Sequence, residues 1–576
     1  MKKLIFLVFT SLIFFTSCED FLDTQNLTKK DSGNFPVNET DASQLVTSVY
    51  STLNSVMNAP NTSYFYVAEV ASDDRFGGGG ENDKDAQAVD HLMYANINYF
   101  SPFWSERYKG ISRANMAIAN MDNIADEETR NQKLGEALFL RAFSYFELTQ
   151  MFGDIPFIES APENVEEAQE SPKQIPAKDV YKYIASDLKK AYDIMPSYKW
   201  DEVISGTVTK WAAAGLMARV YLFYTGFFDE TSIPLTDGET LTKAQVVAAL
   251  EDCINHSGHK LVDDYRQLWG YSNSLTKKDY DYVSDLEGSW IKDGENPEQV
   301  FAIKCAYLGT WQNAIGYSNQ YCLYFGIRSA SDSEQYKNTF PFGQGWGQGP
   351  VNPGLWNEWE DDAPNDPRRK ASILNVEEEF ESYDYYGADK QMEESGFWQK
   401  KYIATTAYKN DDELYNSFTS APEYYGDGEN DHFQVSHSVD LTIIRYADIL
   451  LMHSELTETA DGINEVRRRV DLPEVPYSLE NLKKERRYEL AFEGVRWGDI
   501  RRWGDVPDVL GNQLGQPIYN KGIETEMKNQ GAGYIQRYDA TDGYMPIPQS
   551  EIDLSNGGII QTKGWDNSAL FTSWSN

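Results

Sequence analysis

The chain has 576 residues, of which 41% are hydrophobic and 14% aromatic, and its formal net charge is −39. This amount of apolar surface excludes a disordered chain, because burying it offsets the loss of chain entropy. The negative charge disfavours nucleic acid as a partner, since phosphate binding needs clustered cations. The length exceeds what one compact core usually holds, and it predicts subdomains or a large helical array.

The N-terminus has the order of regions that is typical of a secretory signal. Two lysines precede an apolar run, residues 4–15, and two small residues follow it. The run is too short for a membrane-spanning helix, which needs roughly 20 residues, so residues 1–17 are predicted to be a cleaved signal peptide. Cys18 then becomes the first residue, as in a bacterial lipobox, and we predict that it is lipidated. The alternative is an ordinary thiol near a cleavage site.

Two later segments have helical spacing of their apolar residues. The first covers residues 134–152, and Gly153 is predicted to end it. The second ends at Gly226 and alternates small residues with large aromatic ones, which lets two helices approach closely. Such pairs resemble tetratricopeptide hairpins, although no clean repeat of about 34 residues is present.

Residues 265–369 have a different composition, dense in Gly, Trp, Tyr, Asn and Asp. Only the stretch EQVFAIKCAYL, residues 298–308, is predicted to be a strand there. A second irregular segment covers residues 71–90, and a third lies near residue 430. Long irregular segments in a compact protein are more often functional than accidental, so ligand contacts are expected in them.

The glycines of GQGWGQG, residues 343–349, superficially resemble a phosphate-binding loop. The stretch lacks the lysine and the strand–turn–helix context of such a loop, so the glycines are predicted to hold a close turn that exposes Trp346. The oxygen donors of residues 73–85 could bind calcium, but they lack EF-hand spacing. They are Asp73, Asp74, Asn82, Asp83 and Asp85. A solvated acidic loop is the favoured interpretation, and no metal or cofactor is predicted.

The charged run over residues 485–502 invites a catalytic interpretation, because Glu489 and Glu493 lie one helical turn apart. The interleaved arginines favour another role. They are expected to lower the carboxyl pKa values, whereas the general acid of a glycosidase needs a raised pKa. We therefore predict an ion-paired scaffold, no catalytic residue and no enzyme activity.

Four stretches, taken together, resemble the SusD/RagB family of surface lipoproteins of Bacteroidetes. They are SCEDFLD (17–23), RAFSYFELTQMFGDIPF (141–157), IRYADILLMHSE (444–455) and ERRYELAFEGVRWGDIRRWG (485–504). The resemblance implies an all-α fold, with four tetratricopeptide-like helix pairs in the body and a loop-rich insert. The expected regions are the anchor and tether (18–40), an N-terminal helical region (41–264), the ligand-binding insert (265–369) and a C-terminal helical region (370–576).

The resemblance also implies a function. Such a protein captures an oligosaccharide and delivers it to a partner SusC-like TonB-dependent transporter, held on the outer face of the outer membrane by its lipid anchor only. Peptide capture, as in the RagB branch, is the alternative. A glycoside hydrolase or a plain tetratricopeptide adaptor is less favoured.

Aromatic rings in the irregular segments are the predicted ligand contacts, because a flat ring packs against the C–H face of a sugar. The predicted contacts are Tyr94, Trp290, Trp311 and Trp346, with Arg75 and Asn82 as polar partners. The alternative for each ring is a place in the protein core.

Overall fold

The protein is largely helical, with short strands between the helices. The structure, a computed structural model, describes residues 35–161, 173–292, 294–306, 317–328, 338–385, 390–410, 413–414, 433–435 and 437–575. The first helices are α1 (Glu39–Ser55), α2 (Tyr64–Val70), α3 (Lys84–Asp90), α4 (Ser101–Asn120), α5 (Glu127–Phe152), α6 (Ala177–Ile194), α7 (Lys210–Phe227) and α8 (Lys243–His256). This part of the chain agrees with the predicted all-α class.

The later helices are shorter on average. They are α9 (Tyr321–Tyr324), α10 (Pro353–Asp362), α11 (Pro367–Ser372), α12 (Val376–Glu379), α13 (Tyr446–Thr457), α14 (Asp461–Arg469), α15 (Leu479–Glu489), α16 (Arg496–Arg502), α17 (Val506–Val509), α18 (Tyr534–Thr541) and α19 (Gln549–Leu554). Within the described residues, no helix combines the length and the apolar composition needed to cross a membrane.

Short strands pair in antiparallel couples. They are β1 (Ile155–Pro156), β2 (Gln174–Ile175), β3 (Ser232–Pro234), β4 (Thr240–Thr242), β5 (Gln299–Ile303), β6 (Ile373–Asn375), β7 (Phe397–Gln399), β8 (Tyr408–Asn410), β9 (Glu413–Leu414), β10 (Leu441–Arg445), β11 (Pro517–Asn520) and β12 (Ile523–Glu526). Most pairs are neighbours in sequence, but β5 pairs with β10, so that Ile303 lies opposite Leu441. The strand predicted within residues 298–308 is confirmed as β5, and its partner comes from far along the chain.

The ends of α5 follow local rules. Asp126 precedes the helix and its side chain accepts a hydrogen bond from the Thr129 N–H at 2.8 Å, which satisfies a donor of the first turn. Gly153 ends the helix with a φ of 75°, a left-handed conformation that suits glycine. The predicted end of this helix is confirmed.

Gly226 does not end α7, which continues through Phe227, so the predicted end is wrong by one residue. A Cβ at Gly226 would lie 2.4 Å from the carbonyl oxygen of Arg502 in α16. The glycine therefore permits a close approach between α7 and the end of α16. The spacing of apolar residues along α7 does not predict this contact.

Successive long helices pack against one another. α1 contacts α4, α4 contacts α5, α5 contacts α6, α6 contacts α7, and α7 contacts α8. The series then meets the C-terminal helices, because α8 contacts α13 and α7 contacts α16. One large hydrophobic core runs through these helices and includes β5 and β10. The order of neighbours is compatible with helical hairpins, and the four tetratricopeptide-like pairs stay a prediction.

A buried network of arginines and carboxylates joins α11, β10, α14 and α15. Its centre is Glu489, whose carboxylate accepts hydrogen bonds from Arg445 at 2.6 Å, from Arg368 at 2.9 Å and from Arg469. Burial alone would raise the pKa of Glu489, but the guanidinium groups of Arg469, Arg445 and Arg368 hold it well below its ordinary value. The predicted ion-paired state of this glutamate is confirmed.

A second buried pair of contacts ties α13 to α7 and α15. Asp448 lies 2.6 Å from Arg219 and 2.8 Å from Arg486. Burial opposes ionisation, yet the two arginines lower the pKa of Asp448 to about 2. The charged residues of the C-terminal stretches therefore connect helices inside the protein.

Candidate functional site

The loop of residues 343–349 is held against residues 323–327 by main-chain hydrogen bonds. The N–H of Trp346 donates to the Leu323 carbonyl at 2.7 Å, and the N–H of Gly345 donates to the Ile327 carbonyl at 2.7 Å. A Cβ at Gly345 would lie 2.4 Å from the Cα of Gly326, so glycine is required for the two segments to meet. The predicted close turn is confirmed, with a positive φ of 72° at Gly347.

The other glycine-rich segment, residues 77–80, packs on this same loop. The N–H of Gly79 donates to the Gly347 carbonyl at 2.7 Å, and the N–H of Gly349 donates to the Gly77 carbonyl at 2.9 Å. Two irregular segments that are separate in sequence therefore pack into one feature, in which the glycines are buried and Trp346 is half-buried.

This feature carries two aromatic rings, which we call the ring pair: Tyr324, the last residue of α9, and Trp346. Their ring centroids lie 4.6 Å apart, with an angle of 61° between the planes. Both side chains are half-buried. A half-buried aromatic ring leaves part of its apolar face accessible. A sugar ring packs against surfaces of this kind.

Polar groups border the ring pair. Arg328 donates from Nη1 to the Trp346 carbonyl at 3.0 Å, and the same atom lies 3.3 Å from Oδ2 of Asp83. Oδ2 of Asp83 also accepts from the N–H of Gly80 at 2.7 Å. Asn82, the neighbour of Asp83, is exposed. A carboxylate and a guanidinium therefore lie beside the loop that carries Trp346, and groups of these kinds can bind hydroxyl groups.

Tyr99 lies near this border, just before α4. Its hydroxyl oxygen accepts from Nδ2 of Asn61 at 2.7 Å. Burial, followed by the charges of Asp85 and Tyr324, raises the pKa of Tyr99 well above its ordinary value. Burial and Asp83 raise the pKa of Tyr324 as well. Both phenols therefore stay protonated at physiological pH and can donate as well as accept hydrogen bonds.

The predicted site residues have different positions. Trp346 belongs to the ring pair, and Asn82 is an exposed residue next to Asp83, for which a ligand contact stays a prediction. Tyr94 is half-buried and packs against Trp565, with centroids 6.2 Å apart, and it has no ring contact with the ring pair in the described residues. Trp311 and the lipidation candidate Cys18 lie outside the described residues.

Arg75 and Trp290 are buried, which corrects the expectation that they face a ligand. Arg75 is fully enclosed, with Nε 2.6 Å from Glu69 and its guanidinium 4.4 Å from the centre of the Phe325 ring. The Trp290 side chain is buried, at 3% exposure for the residue, and the main-chain N–H of Trp290 donates to the Ser272 carbonyl at 3.0 Å. These contacts favour a structural role for both side chains in the described conformation.

The expectation of a solvated acidic loop is wrong for Asp73 and Asp74, which are both buried. Arg487 lies 2.7 Å from Asp74, and Arg496 lies 2.8 Å from Asp73. Burial opposes ionisation, but Arg496 and Arg487 lower the pKa of Asp73 to about 2. Both carboxylates are therefore occupied by arginines, and a calcium site that uses them is not supported.

Sequence reasoning missed Tyr324, Tyr99 and Arg328. Tyr324 lies in the aromatic stretch YCLYFG, inside the same irregular region that drew attention to Trp346. The criterion of an aromatic ring in an irregular segment therefore could have found it. Tyr99 and Arg328 had no comparable signal, because their positions depend on contacts between distant segments.

Comparisons with known proteins agree with this architecture. Residues 20–222 match a family profile described as "Starch-binding associating with outer membrane", and residues 353–565 match the profile described as "SusD family". Among curated proteins, SusD-like protein P2 of Formosa agariphila is 25% identical, with 81% of this chain and 80% of that protein covered. A SusD-like protein of Bacteroides ovatus is 22% identical, with 97% and 95% covered.

Solved structures show the same fold. A laminarin-binding SusD-like protein superposes with a TM-score of 0.66 at 24% identity, covering 92% of this chain and all of the other. Surface glycan-binding protein A from Bacteroides thetaiotaomicron, solved in complex with laminarihexaose, gives a TM-score of 0.64 at 19% identity, with 91% of this chain and 99% of the other covered. The chain belongs to the SusD/RagB family.

Proposed function

We propose that the protein is a non-catalytic glycan-binding lipoprotein of the cell surface, which captures an oligosaccharide and delivers it to a SusC-like TonB-dependent outer-membrane transporter. The observation that carries this proposal is the ring pair with its polar border. A sugar presents an apolar C–H face and a rim of hydroxyl groups, and the site offers aromatic faces next to charged groups. The laminarin-binding SusD-like protein and the laminarihexaose complex, which share this fold, support the same ligand class.

The state of the C-terminal carboxylates supports binding without bond cleavage. Glu489 is held ionised by three arginines, and a general acid for glycoside hydrolysis needs a raised pKa. Glu493 lies 2.6 Å from both Arg445 and Lys401. These two glutamates therefore serve the interior of the protein, and we assign them no catalytic role.

A glycan array with the chain that starts at Glu19 tests the ligand class. We expect one class of oligosaccharide to bind, with laminarihexaose and starch fragments as the first ligands tried. Trp346→Ala and Tyr324→Ala are each expected to weaken binding at least about tenfold, since losing a central ring contact costs roughly 1.4 kcal/mol or more. Trp200→Ala is the matched control, because Trp200 is a half-buried tryptophan that lines a different groove.

The other outcomes of the array separate the alternatives. Loss of binding with Trp200→Ala but not with the ring-pair variants would move the site to the groove at Trp200. Trp311→Ala tests the predicted contact outside the described residues. Binding to a peptide library without binding to any glycan of the array would favour peptide capture. Formation of sugar fragments during long incubation with a glycan would contradict a non-catalytic role.

Lipidation of Cys18 and delivery to a transporter are tested together by membrane fractionation. The wild-type chain, expressed in a Bacteroidetes host, is expected in the outer-membrane fraction, where it purifies with a TonB-dependent transporter. Cys18→Ala removes the thiol that would carry the lipid, so this variant is expected in the soluble fraction. A Cys18→Ala variant that still sediments with the outer membrane would contradict the anchor, and wild type that purifies without a transporter would contradict the delivery step.

A further inference from the structure

Three potential metal ligands meet inside the protein, apart from the ring pair. Asp90 is the last residue of α3, His91 follows it, and Glu393 comes from the segment that precedes β7. Each is at most 1% exposed. One ligand atom from each residue lies within 4.8 Å of the others, and Nε2 of His91 is 3.9 Å from Oε1 of Glu393.

Polar atoms of this cluster have no partner. Oδ1 of Asp90 and both ring nitrogens of His91 are buried without a hydrogen bond. Among the described residues, neither Asp90 nor Glu393 forms an ion pair with lysine or arginine, in contrast to Glu489. A buried carboxylate or imidazole without a partner is costly, and such atoms are rarely left unsatisfied in a folded protein. They therefore point to a cation that belongs between them.

Three of the four carboxylate oxygens of the cluster accept hydrogen bonds from the protein. Oε2 of Glu393 accepts from the N–H of Gly78 at 2.8 Å, and Oε1 accepts from Nε1 of Trp574 at 2.6 Å. Oδ2 of Asp90 accepts from the N–H of Gly77 at 3.2 Å. Hydrogen bonds of this kind orient carboxylates that bind a metal, and they leave Oδ1 of Asp90 without a hydrogen bond.

We propose that Asp90, His91 and Glu393 bind one divalent metal ion, and that Zn²⁺ fits the donor set best. One imidazole nitrogen and two carboxylate oxygens are common zinc ligands, and two carboxylates balance the charge of a divalent ion. Tetrahedral zinc with bonds of about 2.0–2.1 Å places its ligand atoms about 3.3 Å apart. The three ligand atoms reach this spacing if each side chain moves toward the others by roughly an ångström or less.

The ion would connect four parts of the chain: the end of α3, the glycines at 77–78, the segment around Glu393 and the C-terminal Trp574. Those glycines belong to the segment that packs on the loop of Trp346 and continues to Asn82. Metal binding would therefore stabilise the border of the ring pair from inside. The site is distinct from the glycan site and does not depend on the proposed function.

Refolding of the full mature chain tests the proposal, because a buried ion must enter during folding. The chain is unfolded in guanidinium and refolded with ZnCl₂ or with EDTA, and its metal content is measured by inductively coupled plasma mass spectrometry. We expect about one zinc per chain after refolding with ZnCl₂. The melting temperature is expected to rise by about 3 °C or more relative to the EDTA sample, since the metal binds the folded chain preferentially.

Variants identify the ligands. His91→Gln and Glu393→Gln are expected to lose the bound zinc, whereas His453→Gln, a half-buried histidine on α13, retains it. Wild type that contains no zinc and melts at the same temperature after both treatments would overturn the proposal. One of the carboxyl groups of Asp90 and Glu393 would then be protonated in the folded protein, and Glu393→Gln would leave stability unchanged or raise it. If the variants do not fold, the comparison of the two wild-type samples still decides the outcome.

Discussion

Glu489→Gln is expected to lower the free energy of unfolding by about 3–5 kcal/mol, the range for breaking a buried ion pair by removing one partner. The substitution keeps the shape of the side chain but removes the charge that Arg368, Arg445 and Arg469 surround. The positive charges of three buried guanidinium groups are then balanced by one fewer negative charge. Urea unfolding followed by circular dichroism measures the loss, and ligand binding at a temperature where the variant is folded is expected to be unchanged.

Glu480→Gln is the matched control on the same helix, α15. The side chain of Glu480 is 79% exposed and lies 3.6 Å from Lys484, so its removal is expected to change stability by less than about 0.5 kcal/mol. An unchanged unfolding free energy for Glu489→Gln, combined with lost ligand binding, would contradict the scaffold role and place Glu489 at a functional site.

Acidification from pH 4.5 to pH 2 is expected to remove the stability contributed by those buried carboxylates whose pKa is lowered in the folded protein. The pKa of Asp448 falls from its ordinary value of 3.8 to about 2 in the folded protein, and that of Asp73 does the same. A folded pKa below the unfolded pKa means that the unfolded chain binds more protons. Stability is therefore present above pH 4 and is lost as the pH falls through 2, by about 2 kcal/mol for Asp448.

A variant isolates this effect from the many other groups that titrate. Asp448→Asn removes one of the carboxylates, so its unfolding free energy is expected to depend less steeply on pH between 4 and 2 than that of wild type. The difference between the two chains, measured by urea unfolding at several pH values, cancels contributions that they share. Parallel pH profiles for wild type and Asp448→Asn would show that the pKa of Asp448 is not lowered in the folded state.

Local sequence was sufficient for the features that depend on local forces. Helix α5 and its end at Gly153 follow from apolar spacing and the conformational freedom of glycine. Strand β5 follows from a short apolar run with β-branched and aromatic residues. The resemblance of four stretches to the SusD/RagB family then predicted the class of fold, and the comparisons confirm the family.

Features that depend on distant contacts could not be predicted in this way. Arg75 lies in an irregular segment, which suggested exposure, but it pairs with Glu69 and lies over the Phe325 ring. Asp73 and Asp74 pair with arginines more than 400 positions further along the chain. Of the ring pair, Trp346 was named from the sequence, while Tyr324 was not. Which rings face outward is decided by long-range packing, and composition does not report it.

The contacts that position the ring pair affect which amino-acid substitutions the site can accept during evolution. The segments that carry Tyr324 and Trp346 are joined by hydrogen bonds between main-chain groups and by glycines that allow close contact. The backbone geometry therefore does not require a particular side chain at position 346. Under the proposed function, substitutions there would alter ligand preference at little cost to folding, so that one loop framework could acquire new sugar specificities while the ion-paired interior stays the same.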